Sequence, residues 1–118
     1  MGASFKDLVV WQRAVELTTN IYRLTAVFPL SEQFGLSNQL RRASVSIASN
    51  IAEGYGKSTR GEYLQSLGHA RGSNCELQTQ LIIAKALGFG AAKAHESAEK
   101  LSADVSRLLI ALMKKLKG

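Results

Sequence analysis

Cysteine and proline are almost missing from this chain: Cys75 and Pro29 are each the only residue of their kind among 118. A lone cysteine excludes an intramolecular disulfide and a cysteine-based metal site. With so little proline, long stretches have no breaker, and the abundance of Ala, Leu, Lys, Arg, Glu and Gln points to an all-helical chain. No apolar run approaches the roughly 20 residues needed to cross a bilayer. Nor does any N-terminal stretch join a basic region to an apolar run and a cleavage site. A cytoplasmic, soluble protein with no membrane partner is expected.

What is present suits one domain spanning 1–118. Hydrophobic residues make up 46% and charged residues 20%, the balance of a folded soluble protein rather than a disordered one. A chain of 12.8 kDa is long enough to bury a core without disulfides or a structural metal. Fifteen Lys and Arg against nine Asp and Glu give +6. A small protein this basic is drawn to polyanions, nucleic acid above all. The competing reading is a surface kept soluble by its charge.

Punctuation divides the sequence into four predicted helices, at about 10–28, 37–54, 59–87 and 91–116. In the first, Ala14, Leu17, Ile21, Leu24 and Phe28 recur at steps of three and four, the period of a helix with one buried stripe. Pro29 stops it. The preceding "FKDLVVW" reads as an extended lead-in that packs Phe5, Leu8 and Trp11 on the bundle. The second helix has Ser37 as its N-cap and Leu36, Leu40, Ala43, Ile47, Asn50 and Ile51 on its inner face. Val45, Ala48 and Ala52 form a second, milder apolar face. It ends at Gly54 or Gly56, where glycine can take a left-handed cap.

Thr59 followed by Glu62 is a capping box that opens the third helix. Tyr63, Leu67, Ala70, Asn74, Leu77, Leu81 and Ala84 then form a heptad seam, closed by Gly88. The fourth helix has Ala94, Ala98, Leu101, Val105, Leu108 and Leu112 as its seam. Short connections predict antiparallel neighbours, hence an all-α, up-down-up-down four-helix bundle with left-handed crossing.

The stretch "EGYGKSTRGEY" mixes glycine with basic residues but is not a phosphate-binding loop. The P-loop pattern needs a glycine five positions before Gly56, and Ile51 is there; a P-loop also follows a strand. The dinucleotide pattern fails because Thr59, not glycine, follows Gly54 and Gly56 at the required spacing. Gly68 and Gly72, one turn apart, suit the close approach of another helix.

Enzymatic readings are thin. Neither His69 nor His95 follows a glutamate by three, so a bundle di-iron site is not supported. Cys75 has no histidine beside it and is expected to be a buried or half-buried structural residue. No catalytic residue, metal or cofactor is expected. Asn50, Glu53, Asn74 and Glu76 fall on or near inner faces and are read as a polar network that sets helix register and oligomer state.

The remaining signal is basic. Arg41, Arg42, Lys57, Arg60 and Arg71 gather around the second and third helices and are the candidate nucleic-acid contacts, since Arg presents a fork suited to phosphate. Arg107, Lys114, Lys115 and Lys117 form a C-terminal end already explained by the helix dipole. Only Tyr55 and Tyr63 flank the arginine cluster, so base-specific reading is not supported.

The "DLVVWQ" lead, "FP" after the first helix, "SIASNIAEG", "ARGS" and "ELQTQL" occur in one order from Phe5 to about Phe89. In this the chain resembles the four-helix bundle proteins encoded within intervening sequences of bacterial 23S rRNA genes. The same superfamily includes the accessory variability protein of diversity-generating retroelements. The resemblance implies a ring-shaped homopentamer with a basic surface around its channel, and binding to nucleic acid (RNA or an RNA–DNA hybrid) by backbone charge. The alternative it implies is an oligomeric adaptor that docks a protein partner such as a reverse transcriptase.

Overall fold

Val10, Ala14, Leu17, Ile21 and Leu24 follow one another at steps of four and three. All five are buried in the computed structural model, which describes residues 3–118. They form the inner stripe of α1 (Val9–Thr25). It is followed by α2 (Leu36–Tyr55), α3 (Arg60–Ala86) and α4 (Ala92–Lys117). No strand occurs among the described residues. α1 packs on α2 and α4, and α3 also packs on α2 and α4, with no packing across either diagonal. The apolar faces therefore close around one core as a four-helix bundle. At ~1.5 Å per residue, the 27 residues of α3 reach about 40 Å, most of the 44 Å long axis.

Local chemistry moves several helix ends from where periodicity puts them. The lead-in is not extended but a single 3₁₀ turn, Phe5–Asp7. Ser4 Oγ accepts from the Lys6 N–H at 3.2 Å, and Asp7 Oδ2 accepts from the Ser4 N–H at 3.0 Å. The turn sets the Phe5 ring edge-on to Trp11, with centroids 5.3 Å apart. α1 stops at Thr25 rather than Phe28. Phe28 precedes proline and so avoids the helical region; its N–H donates to the Thr25 carbonyl at 3.1 Å, and its ring returns to meet Phe89. Ser37 is buried and does not cap α2. Glu32 does so from outside the helix, accepting from the Leu36 N–H at 3.1 Å.

The glycines also act differently from expectation. Gly56 ends α2 with φ −81°, a right-handed conformation. Gly54 lies inside α2 at a close crossing: a Cβ there would be 2.8 Å from Ser66 Cβ and 3.0 Å from Tyr63 Cδ1, both on α3. The left-handed positions among the described residues are Gly88 (φ 77°) and Gly90 (φ 87°), between α3 and α4, and the last residue, Gly118. Gly68 and Gly72 meet nothing within 4 Å, so no other helix of this chain approaches them.

Thr59 caps α3, its Oγ1 accepting from the Glu62 N–H at 3.1 Å. The Glu62 carboxylate accepts the Thr59 hydroxyl rather than reaching the backbone. The buried row of α4 is His95, Ala98, Ser102, Val105 and Leu109. The expected seam positions Ala94, Leu101, Leu108 and Leu112 are only half-buried. Hydrophobicity misplaces part of the row because two of its members, His95 and Ser102, are polar yet buried, each with a hydrogen bond inside the bundle. His95 Nε2 lies 2.7 Å from the Phe89 carbonyl; a carbonyl only accepts, so Nε2 carries the proton. Ser102 is paired with Asn74.

Candidate nucleic-acid interface

Arg41 is positioned by α1. Its Nε donates to Thr25 Oγ1 at 2.8 Å, and its guanidinium lies 4.8 Å from the centre of the Tyr22 ring, a cation–π contact. Thr25 is itself fixed, its hydroxyl donating to the Ile21 carbonyl at 2.7 Å. Arg42, the next residue of α2, is exposed. Tyr22, Asn38, Arg41, Arg42, Val45 and Ser46 line an open groove of about 560 Å³. Neither arginine forms an ion pair among the described residues. Two guanidinium-bearing residues that line one groove without a carboxylate, one of them pre-oriented, can accept a phosphate with little reorganisation.

The five predicted basic residues do not form one cluster. Lys57 Nζ lies 3.8 Å from Glu53 Oε1. It lines a cleft of mixed charge with Asn50, Glu53, Glu62 and His69. Arg60 and Arg71 are three helical turns apart and share one side of α3. Gln78, two turns beyond Arg71, has its amide on Ser102 Oγ of α4 at 2.9 Å, so that side borders α4. Arg41 leans on α1. The cations therefore divide among three places, the α1–α2 groove, the α2–α3 cleft and the side of α3 that borders α4, because residues near in sequence point in different directions around their helices.

The expected polar network is realised in part. Asn74 is buried and donates to the Ser102 carbonyl at 3.0 Å, while Ser102 Oγ donates to Asn74 Oδ1 at 2.7 Å. Asn50 is half-buried and donates to the Ser46 carbonyl at 2.8 Å; Ser46 in turn meets Ser73 of α3 at 2.9 Å. Glu53 and Glu76 are exposed and lie outside the core. Each is on an outward side of its helix, where a carboxylate keeps its hydration. Cys75 is likewise exposed, not buried. Among the described residues no three His, Cys, Asp or Glu side chains are grouped to hold a metal ion. No helix is long and apolar enough to cross a membrane.

A family model described as 23S rRNA-intervening sequence protein matches residues 6–111. The chain belongs to that family. Among solved structures it is similar to a protein of unknown function from the S23 ribosomal protein family of Bacteroides thetaiotaomicron. The identity is 24%, the match covers 90% of this chain and 99% of that chain, and the TM-score is 0.80. At that identity the likeness establishes the fold alone. No curated protein matches.

For this member of the 23S rRNA-intervening sequence family, sequence reasoning missed Tyr22 and Thr25 as partners of Arg41. Both lie on α1, and nothing in the spacing of α1 says which of its flanks meets α2. Ser102 and His95 were also missed. The available signal was their placement on a heptad row with Ala98, Val105 and Leu109, which is visible once polar residues are admitted to a seam.

Proposed function

We propose that this chain is a non-enzymatic, basic bundle that assembles as a homo-oligomer and holds nucleic acid, RNA or an RNA–DNA hybrid, by its phosphate backbone. The observation that carries the reading is the Arg41–Arg42 pair, half-buried Arg41 and exposed Arg42, which line one open groove without a carboxylate partner on a chain of +6. Family membership supports an RNA-linked context.

The finer architecture belongs to the same proposal. The helices run up-down-up-down with antiparallel neighbours, supported by the short α2–α3 and α3–α4 connections. The oligomer is a ring of five, the assembly implied by the family resemblance. Support for self-association comes from large apolar side chains left on the surface, with Leu30 83%, Phe34 87% and Ile82 69% exposed. Five copies of a +6 chain would carry about +30, a strong trap for phosphate.

The test is fluorescence anisotropy with a labelled 23S rRNA hairpin and a random RNA across a salt series, with mass determined by light scattering on the same sample. Comparable affinity for both RNAs, falling steeply with salt in a particle of pentamer mass, is the expected result. Absence of binding at low salt would sink the nucleic-acid reading. Tight capture of a protein partner that survives moderate salt would replace it with the adaptor.

A further inference from the structure

The arginine groove does not end at Tyr22. On the other side of that ring a second groove of about 340 Å³ continues between α1 and α2, past Val15, Thr18, Thr19, Ala48 and Ser49. Tyr22 and Val45 line both grooves. The second one is apolar despite its threonines, because their hydroxyls are already used. Thr18 donates to the Ala14 and Ser44 carbonyls at 3.0 and 3.1 Å, and Thr19 to the Val15 carbonyl at 3.0 Å. From Asn38 to Ser49 the combined groove follows three turns of α2, about 16 Å.

Resting on the nucleic-acid reading above, we propose that this composite groove binds unpaired nucleotides of a single strand. The base lies against Tyr22 in the apolar groove, and its phosphate meets Arg41 and Arg42. The order of chemistry along the groove matches a nucleotide: cations at one end, an aromatic ring between, an uncharged wall beyond. Tyr22 is 46% exposed and is steadied by Arg41 over its ring. Arg41 spends only Nε on the protein, at Thr25, so neither terminal guanidinium nitrogen has a protein partner within hydrogen-bonding distance. A duplex keeps its bases stacked inside and offers only its backbone, so it can use the cationic end alone.

The experiment uses the full chain with a single-stranded oligoribonucleotide carrying 2-aminopurine and with a blunt duplex of the same sequence. The single strand is expected to bind more tightly, with fluorescence quenched on binding. Tyr22→Leu should weaken single-strand binding by at least about fivefold, the lower end for one base stacked on an aromatic side chain, and weaken duplex binding by clearly less, since the duplex feels the loss only through Arg41. Tyr22→Phe should retain both. Arg42→Ala should weaken both.

If Tyr22→Leu leaves single-strand affinity intact while Arg42→Ala weakens it, backbone binding stands and the stacking site is wrong. If wild type binds neither probe, the nucleic-acid reading itself has failed. A second measurement needs no variant: photocrosslinking of a 5-iodouridine strand to wild-type protein. Crosslinks at Tyr22 or its groove neighbours support the site, and crosslinks confined to α3 or α4 overturn it.

Discussion

Asn74 on α3 and Ser102 on α4 exchange two hydrogen bonds inside the core, Ser102 Oγ to Asn74 Oδ1 at 2.7 Å and Asn74 Nδ2 to the Ser102 carbonyl at 3.0 Å. Both residues are at most 2% exposed. Each occupies a position that its neighbours in the row fill with Ala, Leu or Val. Sliding α3 along α4 by one turn would break both bonds and bury their groups unpaired, so the pair selects one register at little net cost.

Removing one partner should therefore cost more than removing both. Asn74→Leu is expected to destabilise the fold by about 1–3 kcal/mol, because it leaves the Ser102 hydroxyl without its acceptor. Combining it with Ser102→Ala should recover most of that loss, since Gln78, also bonded to Ser102, is only half-buried and can turn to water. Urea denaturation of both single variants and the double variant measures the coupling directly.

Glycines one helix apart should respond to alanine with opposite signs. Gly54→Ala forces a Cβ to within 2.8 Å of Ser66 Cβ. Neither atom can rotate away, so α2 and α3 must separate at a cost of about 1–3 kcal/mol. Gly72→Ala meets nothing within 4 Å and should gain about 0.5–1 kcal/mol from helix propensity alone. Thermal melts of the two variants against wild type test the contrast.

Gly90 combines both constraints. Its φ is 87°, and a Cβ would lie 2.6 Å from Leu24 Cδ1 and 3.2 Å from His95 Nε2. Gly90→Ala is expected to cost about 2–4 kcal/mol, more than Gly88→Ala, which carries the backbone penalty of about 1–2 kcal/mol in open space. Chemical denaturation of the two variants side by side decides it.

Burial raises the Tyr63 phenol above its ordinary value of 10.0, and neighbouring Tyr55 adds to the shift. Their rings stand edge to face with centroids 6.2 Å apart. A raised folded-state value means that the unfolded chain releases this proton first. Tyr63 therefore leaves stability unaffected below pH 10 and lowers it as the pH rises from there through the folded-state value. Tyr63→Phe should flatten the alkaline limb of the stability curve. Phenolate absorbance in a pH titration should lose its latest-titrating component.

Under the proposed function, the two arginine flanks are not equivalent. Arg42→Ala should lower affinity for RNA and reduce the steepness of the log-affinity against log-salt plot by about 0.7–0.9, the loss of one neutralised phosphate. Arg71→Ala, on the flank bordering α4, should leave both quantities within error. Anisotropy titrations at several salt concentrations separate the two.

Most of the fold was legible because a buried stripe is a repeat along one chain. The rows Val10–Leu24 and Leu67–Ala84 are buried as their spacing requires, and the Thr59 cap on α3 holds. On α4 the spacing places Ala98 and Val105 correctly but takes Ala94, Leu101 and Leu108 in place of His95, Ser102 and Leu109, because each of these apolar residues immediately precedes a true row member and two of those members are polar. Glu53, Glu76 and Cys75 were placed near the core and lie on the surface, since a residue beside a seam can face either way. Gly54 and Gly56 carried a turn signal, but nothing in the sequence told that the first is needed for contact with Ser66.

By itself, the amino-acid sequence determined the all-helical class, the number of α-helices, the positive charge and the lack of an intramolecular disulfide. Each of these is a sum or a period along one chain. Only the tertiary structure decided that Arg41 leans on Tyr22 and Thr25 while Arg60 and Arg71 share the side of α3 that borders α4. Such neighbours belong to different helices, and their meeting depends on which flanks the packing turns together. Helical periodicity tells which residues face inward, but it leaves open what stands beside the ones that face out.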